Sequence, residues 1–297
     1  MNFSEKLKEI RKKEGISQEQ LAEKIGVTRQ AITKWETGKG LPDVENMAII
    51  AEIFKTSIDE LLRDSVTKAV PATFVYTSET IYDIDCEKHF DVNIGSAATI
   101  MLSSGDDEKL HVKLSSETLE NIGSMFKIKL DDKKNKLDVI CLNKNKLSRY
   151  EAEESLTVEI VLPNKYSDHC EIEASVKLLA ISNLHLNRLE YDGDAEQVLI
   201  SDSSGSLEFT GKTDYEITVD KIMGRLDINQ WKAKAIVHIP EENVVNVVNK
   251  GRKCSVYYVR DGEVIQGEKV DDRENGNSEN EISISGMFSE VVVDLVQ

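Results

Sequence analysis

Cysteine is scarce: Cys86, Cys141, Cys170 and Cys254 are the only four in 297 residues, and none belongs to a CxxC pair. With no signal peptide ahead of them, that spacing argues against a disulfide framework and predicts a cytoplasmic protein. The opening MNFSEKLKEIRKKEG sets Phe3, Leu7 and Ile10 on one stripe, which predicts a first helix rather than an export signal. Long apolar runs are also missing. No stretch approaches the roughly 18 uninterrupted apolar residues of a spanning helix, so no membrane association is expected. There is no GxxxxGK[ST] loop, no GxSxG elbow and no HExxH helix. No catalytic set and no cofactor site can therefore be assembled, and an enzyme is not expected.

A surplus of positive charge is absent as well. The net charge is −17, distributed unevenly: residues 1 to 64 carry 11 Lys and Arg against 12 Asp and Glu, and the remainder carries 26 against 42. Only the first part can approach a polyanion closely. Screening over about 8 Å at physiological salt limits repulsion from the acidic remainder, which is expected to face away from such a partner.

Ser17 to Gly38, SQEQLAEKIGVTRQAITKWETG, reads as two short helices joined by a tight turn. Ser17 and Gln20 form a capping box, and Leu21, Ala22 and Ile25 make the apolar stripe that Gly26 ends. Thr28 caps a second helix whose Ala31, Ile32 and Trp35 fall on one side at about 100° per residue. Trp35 is thus a core residue. The opposite side carries Arg29, Gln30, Thr33, Lys34 and Thr37, side chains that reach base edges and phosphates: Arg and Lys toward guanine, Gln toward adenine, Thr toward backbone oxygens or a thymine methyl. Lys39, just beyond, is a further phosphate candidate.

Residues 3 to 63 resemble the five-helix domain of the phage repressor and Cro (Xre) family of bacterial regulators. The resemblance rests on the SQEQLA opening, Gly26 at the turn, the TRQAITKWETGKG run and a final SIDELL. It implies a transcriptional regulator, a dimeric repressor that reads double-stranded operator DNA. Arg29, Gln30, Lys34 and Thr33 would read bases, while Gln18, Thr28, Thr37 and Lys39 would contact phosphate or orient the readers, Gln18 orienting Gln30. It also implies that Arg11 and Glu36 form a framework ion pair. A fourth helix is expected from about Asp43, with Val44, Met47, Ala48, Ala51 and Phe54 inward, and a fifth from Ser57.

Residues 65–73, around Pro71, read as a linker between the helical domain (1–64) and a second domain (74–297). Beyond it, short alternating runs such as HFDVNIG, LHVKL, LDVICL and LTVEIVL predict strands. NRLEY, GSLEF and GRLDI repeat with central Leu189, Leu207 and Leu226, a period near 20 that predicts stacked β-solenoid coils, clearest over about 155–240. The region resembles adhesin-like β-solenoid domains of bacterial proteins. Asp261-Gly262 marks a hairpin turn, and EISIS with SEVVVDLV is expected to cap the solenoid's end. The fold class is thus multidomain: an α-helical unit followed by an all-β, solenoid-like unit.

Cys86-x-x-His89 and His169-Cys170 have the look of metal-ligand pairs. Residues one or three apart on a strand point to opposite faces, however, so neither pair converges on one ion and no metal is expected. Asp192, Asp194 and Asp202 lack the glycine-rich nonapeptide of calcium-binding solenoids. For the β-domain the sequence leaves sensing of a ligand, binding of a protein and oligomerisation all open. Its size also leaves an alternative to the regulator, an interaction scaffold with an accessory helical domain.

Overall fold

The computed structural model describes residues 3–13, 15–36, 42, 44–54, 75–243, 245–260, 263–266 and 280–296. The chain divides into two compact units, residues 1–73 and 74–297.

In the first unit, α1 (Phe3–Lys13), α2 (Gln18–Ile25), α3 (Arg29–Glu36) and α4 (Val44–Phe54) surround a core of Leu7, Leu21, Ala22, Ile25, Ile32, Trp35 and Ile50. Gly15 and Gly26 take the left-handed conformation at φ 70° and 85°, which ends a helix without a Cβ clash. Among the described side chains of α4, Met47 and Ile50 are buried and Phe54 is half-buried, while those of Val44, Ala48 and Ala51, also expected inward, lie outside the description. The fifth helix and the linker expected after it lie outside the described residues.

The second unit is built from strands: β1 (Tyr76–Asp83), β2 (Lys88–Gly105), β3 (Lys109–Ser116), β4 (Phe126–Lys133), β5 (Lys136–Asn143), β6 (Thr157–Pro163), β7 (Ser167–Ser182), β8 (His185–Ser201) and β9 (Ser204–Gly211). They continue with β10 (Tyr215–Val219), β11 (Met223–Gln230), β12 (Lys234–Pro240), β13 (Asn246–Asn249), β14 (Ser255–Arg260), β15 (Glu263–Gln266), β16 (Glu281–Ile284) and β17 (Glu290–Val296). Parallel pairing stacks most of them as coils of a solenoid, while β1, β3, β4 and β15 pair antiparallel. Along one face the order is β5, β2, β7, β8, β9, β11, β16, β13. Along the other it is β6, β2, β7, β8, β10, β12, β17, β14. The long strands β2, β7 and β8 contribute to both faces.

The repeat detected in sequence is the ladder itself. Leu189, Leu207 and Leu226 are direct register partners, and the column runs on through Cys170, Phe90 and Leu137 at one end and Ile282 and Val247 at the other. All are buried. A second column, Val158, Ile100, Leu179, Val198, Ile217, Val237 and Val293, lines the opposite face. Each such side chain contributes about 1.5–3 kcal/mol by leaving water. Gly205 and Gly224 sit at φ 115° and 118°, and a Cβ on Gly205 would lie 1.8 Å from the carbonyl oxygen of Leu186. Coils pass too closely there for any side chain.

The expectation for the closing strands is corrected. EISI and EVVVDLV, β16 and β17, do not cap the solenoid; they form a coil between β11/β12 and β13/β14. The chain passes over one position to β13/β14, runs out through the antiparallel β14–β15 hairpin, and returns to fill the gap. Parallel pairing on both sides satisfies the backbone groups of β16 and β17, which a terminal cap would leave half open.

Candidate nucleic-acid interface

Ser17 begins α2 with both bonds of a capping box: its Oγ accepts from the Gln20 amide at 3.1 Å, and Gln20 Oε1 accepts from the Ser17 amide at 2.7 Å. The chain turns at Gly26, and Thr28 Oγ1 accepts from the Ala31 amide at 3.2 Å to start α3. These local bonds fix the angle at which α3 leaves α2. Ile32 and Trp35 then face inward, while Arg29, Gln30, Thr33 and Lys34 are all exposed on the other side. The four base-reading candidates thus share one solvent-facing surface of a single helix.

Behind that surface lies a polar brace. Arg11 of α1 donates to Glu36 from Nε at 2.5 Å and from Nη2 at 3.0 Å, and its Nη1 donates to the Ile16 carbonyl at 2.7 Å. Gln18 Nε2 donates to Glu36 Oε2 at 2.8 Å. Burial alone would raise the Glu36 pKa, but hydrogen bonds from Arg11 and Gln18 and the Arg11 charge outweigh it and hold the carboxyl below its ordinary value. The same hydrogen bond holds the Arg11 guanidinium more firmly protonated. The last turn of α3 is therefore tied to both α1 and α2.

Gln18 connects this brace to the exposed face, though to a different residue than the resemblance implies. Its Oε1 accepts from Thr33 Oγ1 at 3.2 Å, and that hydroxyl also reaches the Arg29 carbonyl at 3.0 Å. Among the described residues the bonded partners of Gln18 are Glu36 and Thr33, not Gln30. Arg29 stands 3.9 Å from Glu19 with both side chains largely exposed, a contact too weak and too solvated to hold it. Periodicity could not have found the Gln18–Thr33 link, because it joins two helices. Thr37 and Lys39 lie outside the described residues.

The helix-turn-helix family model matches residues 7–61, which contain all of this geometry. An HTH-type transcriptional regulator of Archaeoglobus fulgidus is 39% identical over 56 residues, 19% of this chain and 80% of its own length. The chain belongs to the helix-turn-helix family. The HTH-type transcriptional activator BcrR of Enterococcus faecalis is 50% identical over 62 residues, 21% of this helix-turn-helix chain but only 30% of the activator's length. The P22 c2 repressor, solved with a synthetic operator, is 32% identical over 21% of this chain and 96% of that one, with a TM-score of 0.21. A candidate cell adhesion protein from Clostridium sporogenes spans 74% of this chain and all of its own at 13% identity and a TM-score of 0.38. The solenoid architecture rests on the strand pairing above. No described helix is long and apolar enough to cross a membrane.

Proposed function

We propose that this chain is a cytoplasmic, non-enzymatic transcriptional regulator that binds operator DNA as a homodimer and lays α3 in the major groove. The observation that carries the proposal is the division of α3: Ile32 and Trp35 buried, Arg29, Gln30, Thr33 and Lys34 exposed together. Arg29 and Lys34 suit guanine, Gln30 suits adenine, and the Thr33 methyl suits thymine once its hydroxyl is held by Gln18. Thr28, at the helix start, and Thr37 and Lys39, beyond its described end, are assigned to phosphates. Gln18 keeps an amide N–H for a phosphate, since its NH2 carries two donors and Glu36 takes one.

Pairing follows from charge. A unit near neutrality in a chain of net charge −17 lacks bulk attraction for DNA, so affinity rests on placed contacts and on tethering two copies. The solenoid is assigned that tether, or the sensing that adjusts it. Two copies of α3 would meet half-sites about 34 Å apart, or a multiple of that spacing. Repression is the proposed output, because occupancy of an operator suffices for it. The test is an electrophoretic shift with DNA upstream of the protein's own gene. Arg29→Ala should cost about 1–3 kcal/mol and relax base preference, whereas Lys39→Ala should weaken all sequences alike and flatten the salt dependence. Absence of any shift at low salt would overturn the proposal.

A further inference from the structure

Two imidazoles that lie 80 residues apart in sequence meet across neighbouring coils. His89 on β2 and His169 on β7 are register partners in a parallel pair, with ring centroids 4.0 Å apart and planes tilted by 37°. Two residues further along β7, on the same outer face, Glu171 places Oε1 3.5 Å from His89 Nε2 and 3.9 Å from His169 Nε2. The three donor atoms all lie within 4.8 Å of one another. A tetrahedral ion with bonds of about 2.05 Å holds its donors about 3.3 Å apart, close to the 3.5 and 3.9 Å at which Glu171 already stands from the two imidazole nitrogens. Within-strand spacing could not show it, because the convergence is between strands.

Two features mark the cluster as more than one rung of a charge ladder. His89 Nε2 is buried and, among the described residues, has no hydrogen-bond partner. Glu171, among the described residues, forms ionic contacts only with the two imidazoles and has no Lys or Arg within 4.0 Å. The neighbouring cations are engaged elsewhere: Lys136 holds Asp91 at 2.5 Å and Asp138 at 3.4 Å, and Arg188 holds Glu190 at 2.8 Å and Glu208 at 3.0 Å. A carboxylate oxygen between two imidazole nitrogens is left without a permanent positive charge of its own.

We propose that His89, His169 and Glu171 form a binding site for a divalent transition metal of the zinc class, with water in the fourth position. Glu190 Oε1, 2.9 Å from His169 Nε2, is held by Arg188 Nε at 2.8 Å and stays outside the donor set. Mixed imidazole and carboxylate donors suit zinc, cobalt or nickel, whereas calcium demands six to eight oxygens. The ion would bridge β2 and β7, two coils that the chain itself joins only through the long segment between them.

The test uses the full chain, stripped with a chelator and titrated with Co2+ and then Zn2+. One Co2+ per chain should bind with the visible absorption of a tetrahedral site and be displaced by Zn2+. His169→Gln and Glu171→Gln, checked for an unchanged far-UV spectrum, should each weaken binding at least about tenfold, while Cys86→Ser leaves it unchanged. Zn2+ should also raise the melting temperature of the wild-type solenoid and not that of His169→Gln, since an ion that binds only the folded state stabilises it. No saturable uptake, uptake indifferent to both His169→Gln and Glu171→Gln, or uptake lost in Cys86→Ser would overturn the proposal.

Discussion

Glu36→Ala should cripple the helical unit although it removes one side chain that touches no base. Glu36 is 2% exposed and Arg11 is 11% exposed, so the pair is shielded from water. The substitution abolishes two bonds from Arg11 and one from Gln18, leaving Arg11, among the described residues, with the Ile16 carbonyl alone. Breaking a buried pair by removing one partner costs about 3–5 kcal/mol, and the slight exposure of Arg11 favours the lower end, near 3 kcal/mol. A unit of this size has a total stability of roughly 3–9 kcal/mol at 0.05–0.15 kcal/mol per residue, so much of the population should unfold. The double replacement Arg11→Met with Glu36→Leu removes both charges and should return to within about 1 kcal/mol of the parent. Urea unfolding of the full chain reads this through Trp35 fluorescence once Trp231, the second of two tryptophans and half exposed, is replaced by Phe. Acid should act like the substitution. Because the folded Glu36 pKa lies below its unfolded value, the pair's contribution is complete above the unfolded pKa near 4.3 and is lost as pH falls through the folded one. A Glu36→Ala shift under about 1 kcal/mol, or a double variant as unstable as the single, would refute the reasoning.

Gly205→Ala should cost at least about 3 kcal/mol, because the new Cβ lies 1.8 Å from a backbone oxygen at a φ of 115°; an unchanged melting temperature of the β signal would contradict this. Under native conditions at pH 8, iodoacetamide should label the exposed Cys86 first and spare Cys141, whose pKa burial pushes up to about 11, and the fully buried Cys170. Mass spectrometry of the labelled peptides decides, and early modification of Cys170 would count against the coil packing. Thr28→Ala should remove the cap of α3 at about 1 kcal/mol, with Thr28→Ser restoring it in the same urea experiment.

What was legible in the sequence follows from the range of the interactions. The capping box at Ser17, the turn at Gly26 and the inward stripe of Ile32 and Trp35 depend on neighbours within four residues, and the chain displays them directly. The solenoid repeat was legible over β8, β9 and β11 because chain order equals stacking order there, which keeps Leu189, Leu207 and Leu226 at a constant period. Phe90 and Leu137 stand in the same column, but the connections around β2 destroy the period. At the other end β16 and β17 enter the stack out of order, so no spacing announces that Ile282 sits between Leu226 and Val247. The same limit hid the Gln18–Thr33 bond and the meeting of His89 with His169. Each joins elements whose adjacency is a product of the fold.

Selection of bound sequences from random double-stranded DNA by the full chain, with Arg29→Ala run in parallel, tests the central claim most directly. The account predicts an enriched inverted repeat with half-site centres about one helical turn, or a multiple of it, apart. Arg29→Ala should lose preference at one position in each half-site and keep the rest. No enrichment, or enrichment identical in the two proteins, would contradict the assignment of α3 as the reading helix.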